Sequence, residues 1–175
     1  MKIIALKGKN GSGKSTVAAM LAKKLDEKGI SNKVLSFAEP LKKIVNYIYD
    51  DVIDFENRKE KENNRNLLET TADAIKSSFG FNPFVVQVTD TISTNMLQKD
   101  GLDIAIISDL RFKSEYIGLK QYTVNSDNFI VIEINNVLTQ NNPSEYDLDL
   151  IEADFILNFD GTIENQLDSL IEELL

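Results

Sequence analysis

The stretch Gly8-Lys9-Asn10-Gly11-Ser12-Gly13-Lys14-Ser15 fits the pattern G-x-x-x-x-G-K-S/T, and it follows an apolar run that reads as a strand. Three of its eight residues are glycine, so the backbone can turn its amides inward and approach a polyphosphate closely. The opening turn of a helix beyond it adds partial positive charge. Lys14 is expected to hold the β and γ phosphates of ATP, and Ser15 to offer its hydroxyl to magnesium. Gly8, Asn10, Gly11, Ser12, Gly13 and Thr16 complete the expected nucleotide cradle.

A second constellation, Ser108-Asp109-Leu110-Arg111, stands just past the most apolar internal run. In an open parallel sheet ligands bind beyond the carboxyl ends of the strands, so Asp109 and Arg111 should emerge on the side of the glycine loop. Asp109 is a candidate to organise magnesium, directly or through water, and Arg111 to clamp a transferring or accepting phosphate. The alternative is an Asp that caps a helix, with Arg111 on that helix's surface. The chain has only three arginines, Arg58, Arg65 and Arg111. The first two flank a densely charged segment, 50–64, which reads either as a solvated loop or as a mobile cover beside a site.

What is missing narrows the chemistry further. The chain has no His and no Cys, which removes imidazole bases, thiolate nucleophiles, disulfides and nearly all zinc sites. Metal chemistry must be oxygen-ligated. A guanine-specific switch protein would carry N-K-x-D after a later strand, whereas Asn32-Lys33 is followed by Val34-Leu35.

The elements that must position these residues follow from apolar periodicity. Strands are expected over 2–7, 33–37, 102–108, 129–134 and 154–159. Between them, Val17, Leu21 and Leu25 keep helical spacing, with Gly29 placed as a left-handed cap. Pro40 suits a first helical position, followed by Leu41, Ile44, Val45 and Ile48. Leu68, Ala72, Ile75 and Phe79 outline a third helix that ends at Gly80. Asn82-Pro83 opens a fourth, with Val85, Val88, Ile92 and Met96 on one face, although its Val and Thr content favours strand on propensity. Further helices are expected after Arg111, around Leu148, and at the end, where Ile163, Leu167, Leu170, Ile171 and Leu174 recur. Strands alternating with helices imply parallel pairing and the α/β class.

At 175 residues and 42% hydrophobic content, the chain has the length of one domain and enough apolar material for a core. Its net charge of −9 argues against a polymeric nucleic acid or an anionic membrane as partner. All 19 basic residues fall within 1–120, and residues 121–175 hold 12 acidic and no basic ones. An anionic ligand must therefore be gripped by the first 120 residues, and the acidic end reads as a solvated surface. The apolar run after Lys2 is too short for a signal peptide or a membrane span, so a soluble, cytoplasmic protein is expected. Apolar residues on the outer helices serve either a homodimer or a core.

Together these pieces resemble the deoxynucleoside monophosphate kinases of bacteriophages, a branch of the nucleoside monophosphate kinase group of P-loop proteins. The resemblance runs in order through residues 2–16, Ser36-Phe37-Ala38-Glu39-Pro40-Leu41-Lys42, and Arg65 with Leu67-Leu68. It continues through Ile107-Ser108-Asp109-Leu110-Arg111-Phe112 with Glu115, then Ser144-Glu145 and Ile156 to Thr162. It implies a three-layer P-loop fold with a five-stranded parallel sheet in the order 2-3-1-4-5. Segment 39–100 would be a helical acceptor-binding insertion, and 135–153 a short lid-like segment, within a single domain 1–175. The resemblance further implies ATP on the loop and a deoxynucleoside monophosphate under the helices between the second and third strands, in a host cytoplasm. Phe37, Glu39, Pro40 and Lys42 would line the acceptor pocket. The chain departs from the pattern in two places. Residues 135–153 contain no basic residue, so lid arginines have no counterpart, and Pro143 stands where members often carry His.

The reaction so implied is transfer of the γ-phosphoryl of ATP to a 5′-phosphate. That acceptor is already an anionic nucleophile, which suits a chain without His, and catalysis reduces to positioning and electrostatics by Lys14, Asp109, Arg111 and Arg65. Two alternatives stay open. One is a P-loop kinase for another metabolite, such as dephospho-coenzyme A, and the other is a nucleotide-binding module without turnover.

Overall fold

Residues 2–7, KIIALK, have no polar position in their middle, which is the pattern of a strand covered on both faces. In the computed structural model β1 (Lys2–Lys7) is the centre of the sheet. The structure describes residues 1–49, 52–55, 57–79, 82–98, 101–123, 126–137, 139 and 143–175, with 58, 126 and 143–146 in backbone only. After β1 come α1 (Lys14–Glu27), β2 (Asn32–Leu35), α2 (Ala38–Ile48), α3 (Arg58–Asn63), α4 (Arg65–Phe79) and α5 (Pro83–Met96). The chain then forms β3 (Ile104–Leu110), α6 (Lys113–Tyr122), β4 (Phe129–Asn135), β5 (Phe155–Asn158) and α7 (Ile163–Leu174). Short 3-10 helices at Ser126–Asn128 and Pro143–Leu150 precede β4 and β5.

The five strands pair in parallel in the order β2-β3-β1-β4-β5, as the resemblance implied. Because side chains alternate along a strand, β1 divides its apolar residues between two cores. Ile4 and Leu6 join Val17, Leu21 and Leu25 of α1 and Leu167, Ile171 and Leu174 of α7. Ile3 and Ala5 join Leu41 and Val45 of α2, Leu68 of α4, Val85, Val88 and Ile92 of α5 and Leu119 of α6. Helices thus cover both faces in a three-layer α/β architecture.

Several expectations change in detail. Helix α2 starts at Ala38, so Pro40 is its third residue rather than its first. Its apolar stripe is also narrower than expected, since Leu41 and Val45 are buried while Ile44 and Ile48 are exposed. Segment 50–64 is more than a loop. Asn57 accepts from the main-chain N–H groups of Lys59 and Glu60 and starts α3, and Ile53 and Phe55 are buried in the core. Helix α5 forms despite its Val and Thr residues, because Asn82 caps it and Val85, Val88 and Ile92 all bury. Tertiary burial outweighs the local preference. Strand β3 extends to Leu110, so Ser108 and Asp109 lie within the strand rather than past it. Gly80, expected to end the third helix, lies outside the described residues, as do parts of 50–64 and 135–153.

Candidate active site

The glycine loop folds as its composition requires. Gly8, Gly11 and Gly13 all have positive φ, at 144°, 75° and 98°, a region closed to most residues with a Cβ. Space demands glycine as well at two of them. A Cβ on Gly8 would lie 2.6 Å from the carbonyl oxygen of Ile134 in β4, and one on Gly13 would lie 2.7 Å from the Phe159 ring. The loop is thus pressed between the end of β4 and the turn after β5, with Gly13 as the residue before α1. The Lys9 carbonyl accepts from the Ser12 N–H at 3.1 Å and closes the loop on itself.

Lys14 is buried, and its ammonium donates to the carbonyls of Gly8 at 2.6 Å and Lys9 at 2.8 Å. A cation curled back into the mouth of its own loop is placed to exchange carbonyls for phosphate oxygens. Ser12 Oγ is buried with no partner among the described residues, a donor of the kind that a bound phosphate satisfies. Helix α1 has no acidic residue in its first turn to compete with an anion. Ser15 and Thr16, in that turn, are exposed. The loop therefore fits a polyphosphate by its glycine cradle, its orphaned hydroxyl and its lysine.

The β1–β3 pairing carries Arg111 to the same place. Lys7 lies opposite Leu110, so the next residues, Gly8 and Arg111, leave neighbouring strands side by side. Between the pairs Ala5–Ile107 and Lys7–Leu110, β3 holds one residue more than β1, a bulge of the kind that re-aims side chains. Asp109, at the bulge, turns toward α2. Its Oδ1 accepts from the Phe37 N–H at 2.8 Å, and its Oδ2 accepts from the Ala38 N–H at 3.0 Å and the Ser36 hydroxyl at 2.7 Å. Asp109 thus caps the helix that follows β2, and this explains why α2 begins before Pro40. A carboxylate offers about four acceptor directions, so one remains.

Arg111 is half-buried, and its guanidinium makes no hydrogen bond or ion pair among the described residues. Its main chain, in contrast, is held. Glu115 Oε2 accepts from the N–H groups of Arg111 at 3.0 Å and Phe112 at 3.1 Å. Burial pushes the Glu115 carboxyl up to about 7, against those two bonds, with Asp109 adding to the rise and Lys76 opposing it. Lys76 Nζ, from α4, lies 4.1 Å from the centre of the Phe112 ring.

Arg65, at the start of α4, is engaged by Glu62 at 3.2 Å and Glu69 at 3.4 Å. Glu39 and Lys42 line a cleft of about 380 Å³ together with Lys43, Asn46, Tyr47 and Phe55. Phe37 and Pro40, expected in the same lining, are instead buried, because the turn that Asp109 caps directs them inward. The Arg58 side chain lies outside the described residues.

Two contributors were not singled out in the sequence. Lys7 ends β1 buried, paired with Glu133 at 2.9 Å and donating to the carbonyls of Leu148 at 3.2 Å and Ile151 at 2.5 Å. It therefore ties segment 143–150 to the strand that launches the loop. A lysine closing an otherwise apolar central strand was the available signal. Phe159, against Gly13, is the other.

Among the described residues no three acidic side chains gather as a protein-only metal site, and no helix is long and apolar enough to cross a membrane. No curated protein matches the sequence. Among solved structures, the APS kinase of Mycobacterium tuberculosis is 18% identical with a TM-score of 0.54, covering 99% of this chain and 96% of that one. A complex of that kinase with AMPPNP and APS is 16% identical, with a TM-score of 0.51 and the same coverage. A sugar kinase from a Janibacter species is 12% identical with a TM-score of 0.51, covering 98% and 93%. At such identities these likenesses show the fold. A family model described as ABC transporter matches residues 1–112, the stretch from β1 to the residue after Arg111. By that match, which takes in the phosphate cradle and the whole of β3, the chain belongs to the ABC transporter family, over the P-loop part of its fold.

Proposed function

We propose that this chain is an ATP- and magnesium-dependent deoxynucleoside monophosphate kinase, with 39–100 as its acceptor-binding region and 143–150 as part of a short lid. The observation that carries the reading is Arg111, a guanidinium without a counter-ion among the described residues, set beside the first glycine of the loop. A half-buried cation without an anion favours binding one. Bidentate guanidinium suits the oxygens of an acceptor phosphate.

In this reading the loop amides, Ser12 and Lys14 hold the β and γ phosphates of ATP, and Arg111 holds the acceptor phosphate in line with them. An acceptor oxygen attacks the γ-phosphorus as the bond to the β–γ bridging oxygen breaks, leaving ADP and a deoxynucleoside diphosphate. No side chain has to remove a proton, since the attacking phosphate is anionic. Ser15 would hold magnesium and Asp109 would reach it through water by its one remaining acceptor direction. When bound, the ion neutralises charge on the β and γ oxygens. Arg65 sits in surface pairs that contribute little to stability, so an acceptor phosphate can draw it away from Glu62 and Glu69.

The family match supports a second reading, an ATP-binding module that hydrolyses nucleotide or only binds it. Hydrolysis calls for a group that orients water at the γ-phosphate, and Asp109, held by three hydrogen bonds from residues 36–38, keeps a single acceptor direction, which the kinase reading assigns to the water toward magnesium. A coupled assay of ADP release with magnesium and ATP, run against deoxynucleoside and ribonucleoside monophosphates and dephospho-coenzyme A, tests the choice. Turnover that depends on a deoxynucleoside monophosphate is expected. Turnover with dephospho-coenzyme A alone, or none with any acceptor, would refute the proposal.

A further inference from the structure

Helix α6 starts without a side-chain oxygen at its first flanking position, because Phe112 stands there. The usual remedy is a carboxylate three residues on that reaches back to the N–H of the flanking residue. Glu115 does this, and then goes one residue further, to the N–H of Arg111, which lies outside the helix. It does so from a position only 3% exposed, where keeping a carboxylate is costly and a neutral cap would serve the helix as well. The second bond is therefore the informative one. It fixes the peptide from which the Arg111 side chain departs.

The same short stretch is fixed from its other end. Asp109, two residues upstream, is bound to the start of α2 by three hydrogen bonds, and the Phe112 ring is covered by the Lys76 ammonium. Residues 109 to 112 are thus held on both sides of Arg111, while its guanidinium makes no bond among the described residues. A rigid base with an unengaged head is the arrangement that places a charge accurately at small entropic cost on binding.

We propose that Glu115 is a positioning residue for Arg111, its buried carboxylate setting the direction in which the guanidinium meets the acceptor phosphate. This rests on the kinase reading above, and it gives one residue of α6 a role in turnover although it touches no substrate.

The test is a kinetic double-mutant cycle on the whole chain, with wild type, Glu115→Gln, Glu115→Ala, Arg111→Ala and Arg111→Ala/Glu115→Ala, alongside thermal unfolding. Glu115→Ala is expected to lower kcat/KM for the acceptor roughly tenfold or more, with KM for ATP unchanged. Glu115→Gln, which keeps an acceptor oxygen, should restore most of it. In the Arg111→Ala background Glu115→Ala should cost almost nothing further, because its effect passes through Arg111. Effects that multiply in the double variant, or a Glu115→Ala protein that is less stable but kinetically normal, would overturn the inference while leaving the kinase reading in place. An Arg111→Ala protein with normal acceptor kinetics would overturn both. If Glu115→Ala does not fold, a Glu115→Gln protein that folds and loses as much kcat/KM as Arg111→Ala also contradicts it.

Discussion

Replacing Glu115 by Gln should change how stability depends on pH. Burial holds the folded-state carboxyl at about 7, against an ordinary 4.5. As pH rises, the unfolded chain releases this proton first, so the folded state binds more protons between the two values and stability falls across that window. The contribution is fully present below about 4.5 and lost once pH has risen through about 7. The whole gap corresponds to about 3 kcal/mol. Because the isoelectric point near 4.6 limits solubility at the acid end, the practical comparison is pH 5.5 against pH 8, over which the loss is about 2 kcal/mol. Gln has no proton to release, so the stability of wild type relative to Glu115→Gln should drop by about 2 kcal/mol between those two values. For a chain of this size that is a relative shift in Tm of roughly 4–8 °C. Urea unfolding of both proteins at each pH reads it directly, and taking the difference cancels the titrating groups that do not interact with Glu115. A wild type that keeps pace with the variant across this range would refute the claim that the carboxylate is buried and raised.

Three further outcomes follow from contacts elsewhere in the site. Gly8→Ala should cost about 2 kcal/mol or more in thermal unfolding and abolish ATP binding by calorimetry, since its Cβ meets main chain that cannot swing aside. Asp109→Ala should cost about 2–4 kcal/mol in urea unfolding through the unsatisfied start of α2, and Asp109→Asn about half of that. Lys7→Met strands Glu133 and two carbonyls and should cost about 1–3 kcal/mol, with Glu133→Gln in the same chain recovering part of it by chemical denaturation.

Much of this was legible from residue order. The P-loop is a motif whose glycines have a steric reason, and both Gly8 and Gly13 prove to be crowded. Helix α7 was legible because all five of its apolar positions recur at helical spacing, and all five are buried. What escaped the reading depends on partners distant in sequence. Asp109 caps a helix some 70 residues earlier, so a search for caps among its own neighbours looks in the wrong place. Pro40 marked a helix start by a local rule, but the Asp109 carboxylate moved the start upstream and turned Phe37 and Pro40 inward. Ile53 and Phe55 are two apolar residues in a charged stretch, too few to show a period, yet each is buried. Lys7 closes the first expected strand, and only the fold shows it to be a buried tie to the segment before β5.

The central claim concerns where the terminal phosphoryl of ATP goes. The most direct measurement follows γ-labelled ATP and magnesium with an equimolar mixture of deoxynucleoside monophosphates, separating the labelled products during single turnover. The account expects label in a deoxynucleoside diphosphate, and none there when Lys14 is replaced by Ala in a folded protein. Label released as inorganic phosphate at the same rate with and without the monophosphates would contradict it, and would make this chain a nucleotide hydrolase built on the same cradle.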